Sequence, residues 1–96
     1  MIKKVHWSKR AANDYARISK YLEENWTKKE VISFSDKIEL DLKMLLSRPE
    51  IGRSIKKDVR RLVTSKHNSI YYKIANDGIY LITIFDNRQN PKKLKI

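Results

Sequence analysis

The chain has 96 residues, no cysteine and a net charge of +11 at neutral pH. That length allows one domain with a single modest core, and the missing thiols exclude disulfides and thiolate metal sites, as suits a reducing compartment. No apolar run approaches a membrane span, and the opening Met1–Trp7 is too short and too polar for a signal peptide, so a cytoplasmic protein with one domain over residues 1–96 and no membrane contact is expected.

In chain order, Lys3–Trp7 puts Val5 and Trp7 on one face of a short first strand. Ser8 is a good helix N-cap. Behind it Ala12, Tyr15, Ile18, Leu22 and Trp26 recur at three- and four-residue spacing, the apolar stripe of a helix. Thr27-Lys28-Lys29-Glu30 reads as a capping box that opens a second helix. Its stripe is Val31, Phe34, Ile38, Leu42 and Leu45, and it stops near Ser47-Arg48-Pro49, because a residue before proline avoids the helical region. Two amphipathic helices joined by so short a link fold back as a hairpin.

Pro49-Glu50-Ile51-Gly52 is turn chemistry, and after it the period changes to two. Residues 58–64 and 69–74 alternate as strands, Asn76-Asp77-Gly78 is a tight turn, and residues 79–85 are nearly all apolar, as in a covered inner strand. Short connections make the last three strands an antiparallel meander. The predicted fold is α+β in the order β-α-α-β-β-β, an antiparallel sheet with the helical hairpin packed on one face. The other face is left for the basic side chains and a basic tail.

The charge is uneven. Residues 8–48 carry a net +2, residues 53–73 a net +6 and residues 86–96 a net +3. A surface of that kind meets phosphate or an acidic protein segment. Arg60 and Arg61 are adjacent on a strand and so point to opposite faces; one faces the helices or the sheet edge, the other the open face. Lys66, Arg88, Lys92 and Lys93 extend the basic set. The chain has two histidines, His6 and His67, and no glycine-rich phosphate loop, so no metal site and no cofactor are expected. The carboxylates read as members of solvated helix faces.

Several stretches together resemble the RelE/ParE toxins of type II toxin–antitoxin systems. They are Trp7-Ser8-Lys9-Arg10-Ala11-Ala12 with Asp14 and Tyr15-Ala16-Arg17-Ile18, then Arg48-Pro49 with Gly52, Val59-Arg60-Arg61-Leu62 and Ile70-Tyr71-Tyr72-Lys73-Ile74. The ending Ile82-Thr83-Ile84-Phe85-Asp86-Asn87-Arg88-Gln89-Asn90-Pro91 resembles the ParE-like branch in particular. The RelE-like branch implies a ribosome-dependent mRNA endonuclease, with clustered cations and a general acid and base around the phosphodiester. Aligned by strands, Arg60 and Arg88 match that cluster, but Leu62 and Ser69 stand at other cation positions and no tyrosine or histidine follows Arg88. Only His67 is left as a proton carrier.

The resemblance therefore implies a ParE-like toxin that inhibits DNA gyrase by binding rather than by chemistry, with mRNA cleavage on the ribosome as the alternative. Its implied partner is a cognate antitoxin whose acidic, amphipathic segment covers Arg60 and Arg88. The target- or antitoxin-binding set is Arg60, Arg61, Lys66, Arg88, Lys92 and Lys93; the nuclease alternative uses Arg60, Arg88 and His67.

Overall fold

The computed structural model describes residues 3–96. Met1 and Ile2, the start of the segment judged too polar for a signal peptide, lie outside the described residues. A strand over Lys4–Trp7 (β1) runs into Ser8, whose backbone is extended and whose Oγ accepts from the Ala11 amide at 2.9 Å. That bond satisfies one of the free amides of the first turn of a helix over Lys9–Asn25 (α1). The same hydroxyl donates to the Ile82 carbonyl at 2.7 Å, so the cap also pins the strand–helix junction to the sheet.

The capping box at Thr27 forms as predicted. The Glu30 carboxylate accepts from the Thr27 amide at 3.0 Å and starts a helix over Lys28–Ser47 (α2). The helix ends at Arg48, and Pro49–Ile51 makes a single 3-10 turn. Four strands follow: Arg53–Lys56 (β2), Val59–Val63 (β3), Asn68–Ala75 (β4) and Gly78–Asp86 (β5).

The sheet order is β1-β5-β4-β3-β2. The meander β3-β4-β5 is antiparallel, as expected, and the helices pack on one face. Two features extend the prediction. β1 pairs with β5 in parallel, Val5 opposite Ile79 and Trp7 opposite Leu81, so the sheet is mixed rather than wholly antiparallel. β2 adds an edge strand that pairs with β3 across an irregular register. All four residues of β2 are exposed, so no alternation of apolar residues marks it in the sequence.

The main core lies between helices and sheet. Ile70, Tyr72, Ile79, Leu81 and Ile84 meet Ala11, Ile38, Leu42 and Leu45. On α1 the fully buried alanine is Ala11 rather than Ala12, and Trp26 caps the helix C-terminus 60% exposed instead of continuing the stripe inward. Asp41 departs from the helix-surface reading of the carboxylates. It is buried, held by the Lys37 ammonium at 2.9 Å, and its other oxygen has no hydrogen-bond partner among the described residues.

The open face expected opposite the helices is partly closed. Leu94 is buried there with Val59, Tyr71 and Phe85, and Ile82 and Ile96 pack against the group. A 3-10 turn over Pro91–Lys93, capped by Asn90, brings the chain back over the sheet. Arg10 donates to the carbonyls of Leu94 and Lys95, and Lys56 to that of Ile96. The basic tail is thus a strap and not a free extension, because Leu94 and Ile96 give it apolar anchors.

Candidate functional site

Arg60 and Arg61 point to opposite faces of β3, as adjacent strand residues must. Arg60 stands opposite Tyr72, on the helix side, and its guanidinium donates to the carbonyls of Glu50 (3.1 Å) and Gly52 (2.8 Å). Its head is therefore spent on the turn that leads into β2. Arg61 lies on the other face, where Nε meets the Ser69 hydroxyl at 3.2 Å and Nη2 meets Asn87 Oδ1 at 3.3 Å.

Asn87 joins two segments at one end of the sheet. Its amide donates to the His67 carbonyl at 2.7 Å, and its side chain accepts from Ser69 at 2.6 Å. Arg61, Lys66, His67 and Arg88 are brought together by these links, whereas Arg60 sits apart at the β2 edge. Lys92 and Lys93 are exposed on the 3-10 turn of the strap.

Arg88 lies in a groove of about 600 Å³ between α1, the start of α2 and the adjoining ends of β4 and β5. Ile18, Tyr21, Leu22 and Trp26 form its apolar wall, with Arg17 and Arg88 as its cations, Glu30 and Asp86 as its carboxylates, and His67 beside them. Tyr21 is 51% exposed, so the groove presents aromatic surface to solvent. Arg17, Tyr21 and Trp26 escaped the sequence reading. Arg17 and Tyr21 lie four residues apart on α1, and Trp26 joins them from the extended C-cap, a turn that no helical spacing signals.

Arg88 forms a two-pronged pair with Asp86, Nε to Oδ1 at 3.0 Å and Nη2 to Oδ2 at 2.9 Å. The guanidinium hydrogen bonds hold the Asp86 carboxyl below the usual carboxylate range, and Asp86 in turn raises Arg88. A carboxyl depressed in the folded state adds stability above its unfolded pKa, which is lost as pH falls through the folded value. Arg88→Met should therefore raise the Asp86 titration toward the ordinary carboxylate range, while the Arg88 backbone amide still holds it partly down, and shrink the acid-side loss of stability. Carboxyl-carbon NMR titration of both proteins checks this; an unmoved Asp86 would remove the pair as its cause.

His6 is tied to Asp77 at 2.7 Å near the start of β5, and that hydrogen bond holds the Asp77 carboxyl down. Among the described residues no group of three His, Asp or Glu side chains is placed to hold a metal ion. No helix among them is long and apolar enough to cross a membrane.

The chain matches, over residues 5–91, the family described as ParE toxin of type II toxin–antitoxin system, parDE. It belongs to the ParE toxin family. Among solved structures, this ParE-family chain is similar to the chromosomal ParDE toxin–antitoxin system from P. aeruginosa, with a TM-score of 0.73, 19% identity, and 88% of this chain and 96% of that one covered. It is also similar to the YoeB dimer from Staphylococcus aureus (TM-score 0.58, 21% identity, 86% and 94% covered). A chain of the E. coli DinJ–YafQ complex matches with a TM-score of 0.55 and 12% identity, covering 98% and 99%. At these identities the likeness is one of fold. No curated protein sequence matches.

The family assignment gives the ParE elements a common reading: a helical hairpin on a mixed sheet, a fixed strand end at Asp86 and a basic C-terminal segment. The chain is a toxin of the ParE type from a type II toxin–antitoxin system.

Proposed function

We propose that this toxin inhibits DNA gyrase by binding and is neutralised by a cognate antitoxin through an acidic, amphipathic segment. Membership of the ParE family over residues 5–91 is the observation that carries this reading. The side chains agree with a binding role. Arg60 is spent on main-chain carbonyls and Arg88 on Asp86, so both cations that a phosphodiester cleavage would draw on are already engaged.

The antitoxin segment fits the groove of Tyr21, Trp26 and Arg88. Its apolar side would cover Ile18, Leu22 and the aromatic rings, while its acidic side meets Arg17 and Arg88. Such a segment orders as it binds, so its affinity depends on the aromatic anchors more than on the rim charges.

The test uses purified protein, gyrase, ATP and relaxed plasmid, scoring supercoiling and trapped double-strand cleavage. The expected result is lost supercoiling with trapped cleavage, relieved by adding antitoxin. Unaffected gyrase at excess protein would overturn the reading. The RelE-like alternative keeps one observation in its favour, since His67 and Arg88 line the same groove. It predicts cleavage of translated mRNA that is lost in Arg88→Ala and His67→Ala, and intact transcripts in a translation extract would remove it.

A further inference from the structure

The face of the sheet that carries the strap holds a cluster of cations with no Asp or Glu side chain among them. Arg10, Lys56, Lys57, Lys73 and Lys95 line one concavity of about 510 Å³, with Tyr80 in its wall. No Asp or Glu lines it. None of the five cations forms an ion pair among the described residues. Arg10 donates to the neutral carbonyls of Leu94 and Lys95, which fix its side chain without cancelling its charge, and Lys56 donates to a main-chain oxygen of Ile96.

Like charges gathered in one hollow repel one another, and a polyanion laid across them removes that repulsion and releases its own counterions. The hollow lacks the exposed aromatic pair that the groove beside Arg88 offers to an amphipathic peptide. Val59 is buried in its floor, and Ile82 and Ile96 are half-buried. Its polar groups are ammonium, guanidinium and the phenol of Tyr80, which bind phosphate oxygens without regard to sequence. The exposed aromatic groove that suits an amphipathic segment lies elsewhere, beside Arg88.

We infer that this concavity is a contact surface for the phosphates of duplex DNA, engaged when the toxin meets gyrase on its substrate. The choice of duplex DNA rests on the gyrase reading; the phosphate chemistry rests on the cluster itself. The strap takes part, because Lys95 and Ile96 line the hollow only when Leu94 is seated.

Fluorescence anisotropy of a labelled duplex, measured over a series of KCl concentrations without gyrase, tests the surface. With about four phosphates neutralised, log K is expected to fall with log[KCl] with a slope of about −3.6. Lys57→Glu combined with Lys73→Glu changes two exposed side chains outside the core and should weaken binding more than about tenfold and flatten the slope by about 2. Lys20→Glu combined with Lys28→Glu makes the same change in net charge on the helices and should leave the slope unchanged, with both variants melting like the parent.

Absence of duplex binding at low salt would overturn the inference. So would equal losses in the two double variants, or polyglutamate bound at the hollow more tightly than duplex. The gyrase assay separates the two readings. Patch-dependent DNA binding with unaffected gyrase keeps the phosphate surface and removes the target; trapped gyrase with no salt-dependent DNA binding removes this surface alone.

Discussion

Gly78→Ala is expected to break the β1–β5 junction and to destabilise the domain by about 3 kcal/mol or more. Gly78 opens β5 with φ at +152°, where a side chain is strained whatever space surrounds it. Space is also lacking. A Cβ at this position would lie 1.8 Å from the Lys4 carbonyl oxygen and 2.6 Å from the Lys4 amide nitrogen. Both are backbone atoms, so no rotamer change relieves the overlap. Lys4 is the residue paired with Gly78, and its amide donates to the Asp77 carbonyl at 2.7 Å, so the clash falls on the first rung of the parallel ladder. Urea unfolding followed by circular dichroism checks the prediction, and an alanine variant with the parent's midpoint would refute it. A midpoint shift with reduced cooperativity would place the damage in β1 alone.

The second large effect is expected from Tyr72→Phe, a loss of about 3 kcal/mol from a single oxygen atom. Tyr72 is fully buried. Its hydroxyl donates to the Pro49 carbonyl at 2.6 Å and accepts from the Gly52 amide at 2.9 Å. Removing the oxygen leaves a buried donor and a main-chain acceptor without partners, at about 1–3 kcal/mol each. In a domain of this size that lowers Tm by more than about 10 °C. Burial pushes the Tyr72 phenol up, opposed by the Gly52 amide, so the hydroxyl stays protonated and able to donate. Gly52 is gripped at both ends, since Arg60 bonds its carbonyl. Arg60→Met and Tyr72→Phe should therefore be non-additive, with a coupling of about 0.5–3 kcal/mol in a double-mutant cycle. Additive losses would show that the two side chains hold the turn independently. A fall in toxicity on replacing Arg60 needs this stability measurement beside it before the residue is assigned to target contact.

The helical hairpin was legible because its signals are local. Ser8, the Thr27–Glu30 box and Pro49 each act within a turn of the chain, and all three operate as predicted. The antiparallel meander was legible for the same reason, through short links between apolar strands. The parallel pairing of β1 was not, because nothing in Lys4–Trp7 says which edge it joins; the bonds that tie it down, Lys4 to Asp77 and Ser8 to Leu81 and Ile82, reach more than 70 positions along the chain. The strap was misread because its charges are loud and Leu94 is a single apolar residue among lysines. The split of Arg60 from Arg61 followed from strand geometry. What each head group touches depended on a turn and an asparagine 8 and 26 positions away, beyond any local pattern.

The place of β1 in the sheet also bears on when the protein becomes itself during synthesis. β1 is made first but has no neighbour until β5 exists, and the junction at Ser8 waits for Ile82, 74 positions later. The early chain can form its helical hairpin, since those contacts are local, but the sheet against which the hairpin packs is assembled from the second half. Long-range pairing of this kind slows folding, because a large loop must close before any contact rewards it. A nascent chain that stalls before Gly78 has neither the partner of β1 nor the strand end that carries Arg88. Toxicity is thereby tied to a chain long enough to include β5, which leaves the synthesis of the preceding elements as an interval in which the antitoxin can arrive first.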